Sequence, residues 1–123
     1  MPVTIRITAG SVSAIAELND SRAAAAIAAK LPITAKAETW GDEIYFGLPF
    51  TAPSDAPQET VALGDLGYWP PGRAFCIFFG PTPMSHGDEI RPASAVTVVG
   101  RVAGDARAFK KVRAGTGVTI EAG

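Results

Sequence analysis

The sequence predicts a mainly β fold, a closed barrel of about eight short strands with one short helix near residues 20–30. Three observations carry that expectation. Apolar and polar residues alternate with period two along most of the chain. Glycine and proline punctuate the alternation at short intervals. The one almost wholly apolar run, Ala74 to Phe79, is too short for an ordinary helix and is bounded by Gly72 and Gly80. Such a run fits a strand buried on both faces or lining a barrel interior.

The elements follow in order. Val3, Ile5 and Ile7 alternate with Thr4, Arg6 and Thr8. After Ala9-Gly10, Val12, Ala14, Ala16 and Leu18 alternate with Ser11, Ser13, Ile15 and Glu17, so the two runs form a hairpin on a glycine turn. Asn19-Asp20-Ser21 offers side-chain oxygens to the free N–H groups of a first helical turn. Arg22 to Lys30 then contains six alanines, and Pro32 ends the helix near Lys30. Ile27 and Leu31 share its apolar face, which packs on one end or flank of the sheet. Period two returns from Ile33 to Phe50, with a turn at Gly41-Asp42, and a proline-containing loop spans Thr51 to Gln58. Thr60 to Leu63 reads as a short strand, broken by Gly64-Asp65 and Gly67, after which Tyr68-Trp69-Pro70-Pro71-Gly72 reads as a stiff aromatic loop. Beyond the apolar run come a polar loop from Pro81 to Pro92, a strand from Ala95 to Val102, a helical turn within Asp105 to Lys111, and a last strand from Val118 to Ile120.

Composition narrows the function classes. The chain has 123 residues, a length that suits a single domain spanning 1–123, with 47% hydrophobic and 19% charged residues. A formal net charge of -1 gives no electrostatic reason to expect nucleic acid or an anionic membrane as partner. No apolar run approaches the roughly 20 residues of a membrane helix, and Met1 to Gly10 does not read as a signal peptide. The single cysteine, Cys76, forms no internal disulfide, and a cytoplasmic location is the default. One histidine, His86, and one cysteine fall short of a zinc set, so neither a metal nor another cofactor is expected. His86 beside Ser85, Asp88 and Glu89 is a chance loop histidine rather than part of a triad, which depends on spatial and not sequential adjacency. No glycine-rich loop opens a helix, so a nucleotide site is not expected.

The stretches WGDEIYF at 40–46 and GDLGYWPPGRAFCIFFGPTP at 64–83, together with the helix start Leu18-Asn19-Asp20-Ser21, resemble the small prokaryotic cyclophilin-like domains. The resemblance covers nearly the whole chain. It implies a closed β-barrel with few helices, and no particular reaction. Against true cyclophilins the likeness is weaker. Ala74 to Phe79 is similar to their strand of serine, glutamine, two phenylalanines and isoleucine. Val99-Gly100-Arg101-Val102 and Phe109-Lys110-Lys111-Val112 are similar to later segments. Their catalytic phenylalanine-histidine-arginine motif would fall near Tyr45-Phe46-Gly47, where neither a histidine nor an arginine stands, and their phenylalanine-x-methionine-x-glutamine motif is missing. An active prolyl isomerase is therefore not expected.

Three functions remain open. The leading one is a binding domain for a small molecule or an extended peptide segment. Its cleft is edged by the YWPPG and PTPMSHGDE loops, and its candidate ligand-binding residues are Trp40, Glu43, Tyr45, Tyr68, Trp69, Phe79, Thr82 and Pro83. Tyr68 and Trp69 pair apolar rings with polar handles, and the prolines reduce the ordering needed on binding. Glu43 and Tyr45 share a strand face, so a carboxyl and a phenol can meet in one pocket. The alternatives are that the two rings of the loop plug the barrel end and that Glu43 is an exposed hairpin glutamate. The second function is a divergent prolyl isomerase in which Arg73 donates to the proline nitrogen of a twisted amide; the plainer reading of Arg73 is a solvated turn residue. The third is an interaction subunit, a homodimer through an edge strand at Val118–Ile120. Cys76 reads as a small buried hydrophobe.

Overall fold

The computed structural model describes residues 3–123. The first hairpin pairs β1 (Val3–Ala9) with β2 (Val12–Leu18), and Gly10 turns it at φ +61°. Alternation does what the pattern requires: Ile5, Ile7, Val12, Ala16 and Leu18 are buried, whereas Arg6, Ser13 and Glu17 are not. Helix α1 spans Arg22–Ala28. The Ser21 side chain accepts from the Ala24 N–H at 3.1 Å, and Ala23, Ala24 and Ile27 turn toward the barrel. The helix ends about a turn's half short of the expected Lys30.

The remaining strands are β3 (Ile33–Lys36), β4 (Glu38–Thr39), β5 (Glu43–Gly47), β6 (Pro57–Gln58), β7 (Asp65–Trp69), β8 (Ala74–Phe78), β9 (Val96–Val102) and β10 (Gly117–Ala122). All pair antiparallel in one sheet of order β3-β10-β1-β2-β9-β7-β8-β5-β4, and β6 adds to β9. The two ends of that order, β3 and β4, are consecutive in the chain and separated only by Ala37. One kinked segment therefore serves both ends of the sheet and curls it into a barrel. Ala37 holds the kink, donating to the Thr116 carbonyl at 2.8 Å and accepting from Gly115 at 2.7 Å. Closure by shared strands removes the unpaired edges that open sheets expose. Strand β10 is paired on both sides, with β1 and β3, so the expected free edge at Val118–Ile120 does not exist.

Two other expectations fail in the middle of the chain. Thr60 to Leu63 is not a ladder strand; only Val61 bridges, to Ile90. The strand begins where a break was expected and runs through Gly67. A Cβ on Gly67 would lie 3.1 Å from a Val96 methyl and 3.2 Å from the Phe78 ring, so glycine there permits two neighbours to close over the strand. A register shift between Leu66 and Gly67 marks a bulge against β9.

The sheet is buried on both faces along β5, β7, β8 and β9. Inside the barrel, Phe46, Leu66, Tyr68, Phe75, Ile77 and Val99 belong to the main core. Outside it, Ala74, Cys76, Phe78, Ile90 and Val96 form a second, smaller cluster beneath the loop that precedes β9. This two-sided burial is why Ala74–Phe78 carries no polar residue: every side chain of β8 is buried. No described helix is long and apolar enough to cross a membrane.

Candidate ligand pocket on the outer face

The outer cluster does not fill its space. A cavity of about 220 Å³, open on one side, is lined by Trp40, Glu43, Tyr45, Trp69, Cys76, Pro92, Ala93 and Val96. Period two explains the set. Glu43 and Tyr45 alternate with Ile44 and Phe46 along β5, so the first pair faces outward when the second faces the barrel core. Across the ladder Tyr45 pairs with Cys76, and Glu43 is its diagonal neighbour, which brings the carboxyl toward the thiol. Gly67 stands opposite Cys76 on β7 and adds no side chain. Trp69, two residues on, faces the same way.

Short connections set the rims. Trp40 donates its N–H to the Glu43 carbonyl at 3.0 Å across a turn in which Gly41 has φ +60°. A Cβ on Gly41 would lie 2.8 Å from Pro83, so this glycine also seats the 81–83 segment. On the far rim Pro70–Gly72 makes one 3-10 turn. Gly72 packs under the Trp69 ring, where a Cβ would come within 2.8 Å. The Trp69 indole N–H donates to Ser94 Oγ at 2.7 Å, which fastens the ring to the covering loop.

Glu43 is the chemically unusual member. It is 5% exposed, and burial raises its carboxyl from the ordinary 4.5 to about 7, with the nearby Cys76 thiol acting in the opposite direction. Burial also pushes the Cys76 thiol well above its usual range, and the negative carboxylate of Glu43 adds to that effect. Cys76 is 2% exposed. Cys76 should therefore react with a dithionitrobenzoate reagent at least about 100-fold more slowly in the folded protein than in urea. Comparable rates in the two states would show that the pocket floor is open or that the thiolate forms readily.

The structure brings together four of the residues that the sequence singles out: Trp40, Glu43, Tyr45 and Trp69. It separates the rest. Tyr68 is fully buried in the barrel interior, and its Oη accepts from the Ala52 N–H at 3.0 Å. Adjacent residues of a strand point to opposite faces, so Tyr68 and Trp69 cannot share a pocket once both lie on β7 rather than in a loop. Phe79 also packs in the main core, its ring centroid 6.5 Å from that of Phe109. Thr82 and Pro83 shape the loop instead of the cavity. Thr82 is buried and donates to the Arg91 carbonyl, and Ser85 Oγ accepts from the N–H groups of Thr82 and Arg91 at 2.9 and 3.0 Å. Arg73 is exposed, caps the 3-10 turn in a left-handed conformation (φ 48°), and does not line the cavity.

Sequence reading missed Cys76, Pro92, Ala93 and Val96 as pocket residues. For Cys76 the signal was present, since it sits two residues from Ala74 and from Phe78 on one face of β8. Among the described residues no group of three or more histidine, cysteine, aspartate or glutamate side chains is placed to hold a metal ion.

The fold is a small, mainly β, antiparallel barrel with few helices. A family model described as cyclophilin-like matches residues 3–121, and the chain belongs to that family. The chain is also similar to the hypothetical protein AF2241 from Archaeoglobus fulgidus, known from a solution structure. The two are 39% identical, with 99% of this chain and 95% of that one covered, and superpose with a TM-score of 0.79. No curated protein matches the chain.

Proposed function

We propose that the domain is a binding module that takes a small molecule, or one side chain of an extended peptide, into the pocket framed by Trp40, Tyr45 and Trp69. One observation carries the reading: three aromatic side chains and a buried carboxyl converge on an open concavity instead of packing against one another. The volume of about 220 Å³ lies below the range typical of drug-sized ligands, which favours a small guest. An isomerase mechanism through Arg73 has no comparable support, because it needs a guanidinium in the cavity and the Arg73 side chain stands outside.

Trp40 and Trp69 are the protein's two tryptophans, so fluorescence excited selectively at tryptophan reports on the pocket. Titration with proline-containing peptides, small amides and metabolites is expected to give a saturable change for at least one class. Trp69→Ala should weaken that binding at least about tenfold, the loss usual for an aromatic anchor. Silence across the whole set, in fluorescence and in thermal shift, would overturn the reading.

A further inference from the structure

We propose that the pocket selects an alkylated ammonium, a tertiary or quaternary cationic head seated among Trp40, Tyr45 and Trp69 with the Glu43 carboxylate as its counter-charge. This rests on the pocket-binding reading and names its ligand class. The faces of aromatic rings attract cations, most strongly when water is excluded, and three of the eight lining residues are aromatic. Glu43 is the one carboxyl among the lining residues, and no lysine, arginine or histidine joins it. Pro92 has no N–H, and Ala93, Val96 and Cys76 add apolar surface. The Trp69 N–H is engaged by Ser94, so that ring has no free donor to give a guest.

The other ligand classes fit less well. A phosphate or carboxylate guest would meet the negative charge of Glu43 with no cation among the lining residues. A sugar would give up its hydration for one carboxyl and one phenol, fewer polar partners than its hydroxyls need. A primary ammonium brings three donors, and a single carboxylate accepts only part of them. An alkylated head is weakly hydrated, presents methyl groups to the rings, and needs the one charge.

The surrounding charges agree. Glu38 is exposed directly across the ladder from Tyr45 and adds negative charge on the same face. Asp42 at the turn is paired with Lys110 at 3.8 Å. Arg91, before Pro92, is held by Glu89 at 2.7 Å and by Glu59 at 3.7 Å. Of the strands in contact with β5, β8 presents Phe78 and Cys76 on the face of Glu43, β4 presents Glu38, and β3 ends in the exposed Lys36, while Val96 of β9 lines the cavity. Tyr45 is the only other titratable group on its own strand.

Tryptophan fluorescence tests the inference with choline and with its uncharged isostere, in which carbon replaces the ammonium nitrogen, at matched salt. At about pH 8, where Glu43 is ionised, choline should bind at least about tenfold more tightly than the isostere. At about pH 5, with Glu43 protonated, that preference should shrink several-fold toward what the rings alone provide, and Glu43→Gln should show the smaller preference at both pH values. The wild-type comparison decides the matter even if the variant folds poorly. Equal affinity for choline and the isostere at both pH values would overturn the cationic assignment while leaving the pocket-binding reading intact. No response to choline would overturn it too, and the neutral peptides and amides described above would then decide the broader reading separately.

Discussion

Phe75→Ala is expected to destabilise the protein by about 3–5 kcal/mol, the range usual for removing a buried phenylalanine from a packed core. Phe75 is fully buried, and its ring stacks on Phe46 at 5.4 Å with 20° between planes. The two residues pair across β5 and β8 and face the barrel interior, where neighbours on several strands prevent collapse into the void. Domains of this size have only about 5–15 kcal/mol of stability, so the variant should sit close to the threshold of folding. Urea denaturation reads the effect as a lower midpoint with an unchanged slope. Trp40→Ala offers the contrast, because Trp40 is half-buried on a pocket rim and belongs to neither core cluster. It should cost markedly less stability while disturbing ligand binding. A loss below about 1 kcal/mol for Phe75→Ala would mean that this ring is not part of a close-packed barrel core.

The fold was legible where the signal is local. Alternation in Val3–Leu18 gives the first hairpin, alanines between Ser21 and Pro32 give the helix, and the unbroken apolar run gives the doubly buried strand β8. Barrel closure was expected from strand number and from the family resemblance, but its means was not visible. Whether Ile33–Thr39 bends at Ala37 depends on β10 and β5, one at the far end of the chain and one following directly. Strand β7 was hidden because Gly64, Asp65 and Gly67 resemble turn residues. Gly67 is there for Phe78 and Val96, which press over it from neighbouring strands. Asp65 is buried because its carboxylate accepts from the Ala62 N–H at 2.8 Å and from Arg101 Nε at 3.1 Å. Misreading that strand as a loop had one consequence for the site. A loop assigns no face, so Tyr68 and Trp69 were taken together, whereas strand geometry sends them to opposite sides of the sheet. By contrast, Glu43 and Tyr45 were correctly placed on one face, because their strand carries no such punctuation.

Between about pH 4.5 and pH 8 the wild-type protein should lose roughly 3 kcal/mol of stability that Glu43→Gln does not lose. The sign follows from proton occupancy. Burial lifts the Glu43 carboxyl to about 7 in the folded chain, against 4.5 when it is solvated. Through that interval the folded state keeps a proton that the unfolded state has released, so rising pH favours unfolding. The contribution is therefore complete below about 4.5 and is lost as pH climbs through about 7. Other groups do not mimic this. Glu89 and Asp105 are held below the usual carboxylate range, chiefly by hydrogen bonds from Arg91 and Arg107, so they act on the acid side. Cys76 is pushed upward and acts only at higher pH. Urea titrations of wild type and Glu43→Gln at both ends of the interval measure the difference directly. Parallel profiles would show that Glu43 is solvated, and with that the buried carboxyl of the site would be lost. If the difference appears, the same linkage runs through binding. A guest that neutralises ionised Glu43 should restore more wild-type stability near pH 8 than near pH 5, so the cost of ionising Glu43 and the pocket's preference among ligands have one physical origin.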